Sequence, residues 1–172
     1  MSIAGVAIFV LTAPGTALAQ GSGAEARLKQ LNITLPADQA PAANFVNSVQ
    51  AGKLLFLSGN TPGGQWPLKG KVGKDLTIEQ GYDSARQTGL IMLGKIRTAL
   101  GSLDRVKRVV KVLGMVNSAD GFSDQPKVVN GFSDLMVEVF GEAIGKHARS
   151  AVGMAGLPGN APIEVEMIVE VE

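Results

Sequence analysis

Ile163-Glu164-Val165-Glu166-Met167-Ile168-Val169-Glu170-Val171-Glu172 ends the chain with its clearest period-two pattern. Ile163, Val165, Met167, Val169 and Val171 point one way, while Glu164, Glu166, Glu170 and Glu172 point the other with Ile168 among them. This alternation specifies a strand with one face on a core and the other toward water or a partner. Immediately upstream, Gly156-Leu157-Pro158-Gly159-Asn160-Ala161-Pro162 is a connection, and Arg149 to Met154 reads as the preceding strand.

Further back, Val106 to Val116 is too β-branched to favour helix and reads as a central strand, covered on much of both faces. Arg105, Lys107, Arg108 and Lys111 around its start read as a solvated strand edge. Between these strands a helix is predicted from near Asp124, with Pro126 in its first turn. Val129, Phe132, Met136, Val139 and Phe140 form its buried stripe, and Gly141 and Gly145 end it. Thr77-Ile78-Glu79-Gln80 matches a capping box, so a longer helix is predicted to run from there to a stop at Gly101.

Phe45 to Val49 and Lys53 to Ser58, separated by Gln50-Ala51-Gly52, suggest an early hairpin. Gly59 to Gly73 reads as loop, with a short strand near Lys69 to Val72. The element order implies an α+β domain: a mixed sheet with two helices packed on one side. Residues 44–172 are assigned to this domain, and residues 21–43 to a short helix, Glu25 to Leu31, followed by an extended arm carrying Pro36 and Pro41. Residues 1–20 are largely small and apolar and end in Ala17-Leu18-Ala19, which reads as an export leader lacking the usual basic start. A genuine leader implies a periplasmic protein without a membrane segment in its mature form; otherwise the chain is cytoplasmic.

The 172 residues carry a formal net charge of +1, and neither a disordered tail nor a nucleic-acid surface is indicated. Cysteine is absent and His147 is the only histidine, which excludes disulfides, thiol nucleophiles, cysteine-rich zinc sites and iron–sulfur ligation. No metal site is expected. Gly70-Lys71-Val72-Gly73-Lys74-Asp75 lacks the spacing of a phosphate loop and reads as a turn. Ser58 and Ser133 lack a nucleophile elbow, which leaves them cap, turn or core roles. His147 reads as a surface or capping residue at the helix exit.

Arg149, at the start of an apolar strand, is the residue that asks for a partner. A covered guanidinium needs an anion, and its rigid fork matches a carboxylate in two charge-assisted hydrogen bonds. Two readings follow: a structural pair with Glu164, brought close by a hairpin-like return, or a site that grips a substrate acid beside Glu164 as general acid or base.

Phe45-Val46-Asn47-Ser48-Val49, Gly52 to Asn60, the helix from Thr77, Ala148-Arg149-Ser150-Ala151-Val152, Leu157-Pro158 and Ile163-Glu164-Val165-Glu166 together resemble the reactive intermediate deaminase (RidA-like) family. Its older label is endoribonuclease L-PSP. The resemblance spans Glu25 to Glu172, is most specific from Arg149 to Glu164, where the spacing is the family's, and is to a divergent subgroup, given the departures at Phe45 and Ala151.

The resemblance implies a chorismate-mutase-like fold assembled as a homotrimer with clefts between subunits. It also implies cofactor-free hydrolysis of enamines and imines such as 2-aminoacrylate to 2-keto acids and ammonia. On this sequence Arg149 would hold the substrate carboxylate, Glu164 would activate water, and Gly59 would offer its backbone near the reacting nitrogen. Phe45 stands where well-studied members have tyrosine and Ala151 where they have cysteine, so the expected site is more apolar. Asn130 is carried as a ligand-contacting candidate or a helix-surface residue. A non-catalytic binder of small carboxylates and, further off, a ribonuclease are the alternatives.

Overall fold

The computed structural model describes residues 23–41 and 43–172, so the leader expectation for residues 1–20 lies outside the described residues. Helix α1 (Ala24–Gln30) leads through the arm to a hairpin of β1 (Ser48–Ala51) and β2 (Leu54–Asn60). Then follow α2 (Ile78–Leu100), β3 (Val106–Asn117), α3 (Gln125–Phe140), the one-turn α4 (Glu142–Gly145), β4 (Ala148–Met154) and β5 (Ile163–Val171). The five strands form one sheet in the order β1-β2-β5-β3-β4, antiparallel except for the β3–β4 pair.

The alternation in β5 sets this arrangement. Ile163, Val165, Met167, Val169 and Val171 are buried on the helical side with Val109, Val112 and Val116 of β3 and Leu55 and Leu57 of β2. Met92, Leu93 and Ile96 of α2 and Phe132, Leu135 and Met136 of α3 complete that core. At the start of α2, Thr77 Oγ1 accepts from the Gln80 amide at 3.2 Å and Gln80 Oε1 accepts from the Thr77 amide at 2.9 Å. Gly101 ends this helix in the left-handed region, with φ 81°. Both helices pack on one face of the mixed sheet, as the sequence implied.

Four details differ from the sequence reading. Strand β1 begins at Ser48, leaving Phe45 in the irregular segment before it, because Asn47 turns its side chain toward the arm. The expected strand near Lys69 to Val72 reduces to isolated bridges at Val72, since Lys71–Asp75 closes a turn through the Lys71 amide and Asp75 carboxylate. β3 is interior, not an edge, so its basic residues lie above a continuous sheet; Lys107 and Arg105 pair with Glu172 across the β3–β5 ladder. Finally, β4 is the edge strand, and Arg149 is only half-buried instead of covered.

Candidate active site

Strand geometry separates the sequence-predicted site residues into two groups. Arg149 pairs with Val112 and Ala151 with Gly114, so both side chains lie on the helical side of the sheet. Glu164 pairs with Met115 and belongs to the opposite face of β5. β3 stands between β4 and β5, which removes the hairpin-like return and the internal Arg149–Glu164 pair.

The first group surrounds Arg149. Its Nη1 donates to Asn130 Oδ1 at 2.9 Å and to Ser133 Oγ at 3.0 Å, while Nη2 stands 3.5 Å from the Pro126 carbonyl oxygen. Asn130 and Ser133 are three residues apart on α3, so one helix face presents both acceptors. Ser133 Oγ also lies 3.0 Å from His147 Nε2, and His147 Nδ1 lies 2.6 Å from the Gly145 carbonyl oxygen. Burial lowers the His147 pKa, and the nearby Arg149 charge lowers it further, against the Gly145 hydrogen bond. The capping reading of His147 at the helix exit holds, with this second contact added. Among the described residues Arg149 forms no ion pair.

The second group lines a cleft of about 610 Å³ that contains Phe45, Gly59 and Glu164. A bulge in β2 builds its floor: Leu57 pairs with Met167 and Asn60 with Val165, so Ser58 and Gly59 together face one residue of β5. That extra residue swings Gly59 against Glu164 so closely that a Cβ at Gly59 would collide with the carboxylate. Glu164 is partly buried, and its pKa is raised, first by desolvation and then by the Glu166 charge. A carboxyl in this state takes up a proton more readily than an exposed one, as acid–base work requires. Phe45, 56% exposed, offers an apolar ring at the mouth.

Two wall elements escaped the sequence reading. Lys95 of α2 is 8% exposed, and its Nζ donates to Asn47 Oδ1 at 2.5 Å beside the Asp38 carboxylate at 3.5 Å. Asn47 Nδ2 in turn donates to Asp38 Oδ1 at 2.9 Å and to the Gln39 carbonyl at 2.8 Å. These bonds pin the arm against α2 and make it one side of the cleft. The available signal was a lysine set among the apolar residues of α2, between Leu93 and Ile96. Trp66 forms another wall, its Nε1 donating to Ser84 Oγ at 2.8 Å. Nothing in the local sequence pairs Trp66 with Ser84.

Among the described residues no group of three or more carboxylate or imidazole side chains is arranged to hold a metal ion, and no helix is long and apolar enough to cross a membrane. The chemistry within reach is anion binding at Arg149 and proton transfer at Glu164.

Residues 25–171 match the family described as "YjgF/chorismate mutase-like, putative endoribonuclease". Protein TCP17 of Trypanosoma cruzi is 47% identical over 149 residues, covering 84% of this chain and 92% of that protein. Protein Atu1372 of Agrobacterium tumefaciens, solved with unknown function, is 40% identical with a TM-score of 0.77, over 86% of this chain and 91% of its own. A "putative endoribonuclease" from Shewanella oneidensis MR-1 shares 30% identity and a TM-score of 0.82, over 87% of this chain and 99% of its own.

Proposed function

This chain belongs to the YjgF/RidA-like family, and from that membership we propose that it hydrolyses reactive enamines and imines of amino acids, of the 2-aminoacrylate type, to 2-keto acids and ammonia. The observation that carries the reading is an arginine buttressed on α3 by Asn130 and Ser133 that pairs with no carboxylate among the described residues. Such a guanidinium suits an acid brought from outside the chain. Glu164 supports hydrolysis over binding alone, because its raised pKa and its place beside Gly59 suit a group that positions water and moves a proton.

An iminium carbon is already electrophilic. Catalysis then needs a held substrate, a placed water and a proton acceptor, and no covalent nucleophile. An enamine first takes a proton from solvent at its terminal carbon to become the iminium. Arg149 fixes the carboxylate, Glu164 takes a proton from the attacking water, returns it to the nitrogen and accepts the hydroxyl proton as the C–N bond breaks and ammonia leaves, and the Gly59 backbone lies beside that nitrogen. Phe45 and Ala151 keep the surroundings apolar, which strengthens the charge-assisted contacts. The protein itself uses no cofactor in this scheme.

The two groups of residues cannot meet within one chain, so the site forms between subunits of a homotrimer: Arg149, Ala151 and Asn130 from one, and Phe45, Gly59 and Glu164 from its neighbour. The sheet face opposite the helices supports this assembly, since it exposes Val49, Phe56, Val152 and Met154.

The test is keto-acid release from 2-aminoacrylate or 2-iminobutyrate generated in situ by a pyridoxal-phosphate enzyme. Acceleration that is lost in Arg149→Ala and in Glu164→Ala is expected. No acceleration, with Arg149-dependent keto-acid binding retained, establishes the non-catalytic carboxylate binder instead.

A further inference from the structure

We propose that Ser133 and His147 are positioning residues that hold Arg149 with its Nε–Nη2 edge outward, so that the site takes a substrate carboxylate side-on through two parallel hydrogen bonds. This rests on Arg149 being the carboxylate holder.

A guanidinium has two bidentate edges, an end-on Nη1–Nη2 edge and a side-on Nε–Nη2 edge. This chain uses both elsewhere. Arg86 meets Glu138 end-on, with Nη1 at 3.1 Å and Nη2 at 2.7 Å. Arg97 meets Glu25 side-on, with Nε at 3.0 Å and Nη2 at 2.6 Å. At Arg149 Nη1 donates to both Asn130 and Ser133, which occupies the end-on edge. Nη2 has only the 3.5 Å approach to the Pro126 carbonyl, and Nε has no partner among the described residues.

The direction of every bond in the chain behind Ser133 is fixed by donor and acceptor capacity. Arginine only donates, so the Ser133 oxygen accepts from Nη1. The Gly145 carbonyl only accepts, so His147 Nδ1 carries a proton. A neutral imidazole then has a lone pair on Nε2, which receives the Ser133 hydroxyl hydrogen. The order is Arg149 to Ser133 to His147 to the Gly145 carbonyl, with each group filling the one role its neighbour leaves open. Without the imidazole acceptor the serine hydroxyl is free to rotate, and its lone pairs no longer stay aimed at Nη1.

Because His147 is the only histidine, its ring nitrogens give an unambiguous nitrogen-15 signal. At pH 7.5 the spectrum is expected to show the neutral Nδ1–H form and to shift when 2-oxobutyrate binds. Ser133→Ala and His147→Phe are each expected to weaken 2-oxobutyrate binding and raise KM for 2-iminobutyrate by about tenfold. Their kcat is expected to stay within about twofold of the parent value. Ser133→Thr, which keeps the hydroxyl, is expected to recover most of the affinity. Thermal melts establish that each variant folds; if His147→Phe does not, Ser133→Ala and the spectrum decide. An Nε2–H or doubly protonated ring, or parent-like binding in both variants while Arg149→Ala binds nothing, overturns the positioning role alone. Failure of the parent protein to bind 2-oxobutyrate, or full binding by Arg149→Ala, overturns the carboxylate-holder reading and this role with it.

Discussion

Arg149 and Glu164 of one chain lie on opposite faces of the same sheet, with β3 between their strands. If the reaction needs both, two chains must supply them. Co-expressing Arg149→Ala with Glu164→Gln is then expected to restore activity that neither variant has alone, to about a quarter of the parent level for random mixing in a closed ring. Keto-acid release by the mixed and unmixed proteins is the measurement. No recovery from verified mixed oligomers refutes a shared site.

The Glu164 carboxyl titrates above its ordinary range because burial disfavours its charge and Glu166 repels it. In its proposed role as the base toward water it acts ionised, so kcat/KM is expected to fall as the pH drops through that raised pKa. Glu166→Gln removes the repulsion and is expected to move this acid limb to lower pH. A pH–rate profile of the two proteins checks the direction of the shift.

The same carboxyl affects stability with a definite sign. Its folded pKa lies above the unfolded one, so its favourable contribution is full below the unfolded value and lost as pH rises through the folded value. Above the folded value the ionised group opposes folding. Glu164→Gln is therefore expected to raise Tm at pH 7, with the gain fading toward pH 4, in paired thermal melts.

Lys95, Asp38 and Asn47 form a partly buried polar cluster that ties the arm to α2. Asp38→Ala leaves the ammonium with a single partner and loosens the cleft wall, at an expected cost of about 1–3 kcal/mol. Lys95→Met keeps the packed hydrocarbon and removes the charge, so it is expected to cost less. Urea unfolding of the two variants ranks them.

Gly131 of α3 approaches α2 so closely that a Cβ would collide with the Tyr82 carbonyl oxygen. Gly131→Ala must push the helices apart and is expected to destabilise by about 1–3 kcal/mol. Gly156, with nothing within 4 Å of its would-be Cβ, is the matched control. Differential scanning calorimetry of Gly131→Ala and Gly156→Ala is expected to separate them by several degrees, about 2–4 °C per kcal/mol at this chain length.

Local pattern carried most of the fold into the sequence. Period two in Ile163 to Glu172, the Thr77 capping box and the stripe from Val129 to Phe140 each act over a few residues, so β5, α2 and α3 are legible to within a residue or two, whereas β1 starts three residues later than its pattern suggests. Gly59 and Phe45 are marked as site residues by order and spacing that resemble a family, and Arg149 and Glu164 also by a covered guanidinium's need for an anion. What each one touches was not legible. Strand order decided that: inserting β3 between β4 and β5 parts Arg149 from Glu164, and a bulge at Ser58 and Gly59 sets the glycine against the carboxylate. The contacts Ser133–His147 and Lys95–Asn47 likewise join residues 14 and 48 positions apart. Sequence periodicity fixes which face a side chain takes; only tertiary packing fixes which group waits on that face, because contacts between distant segments leave no local repeat.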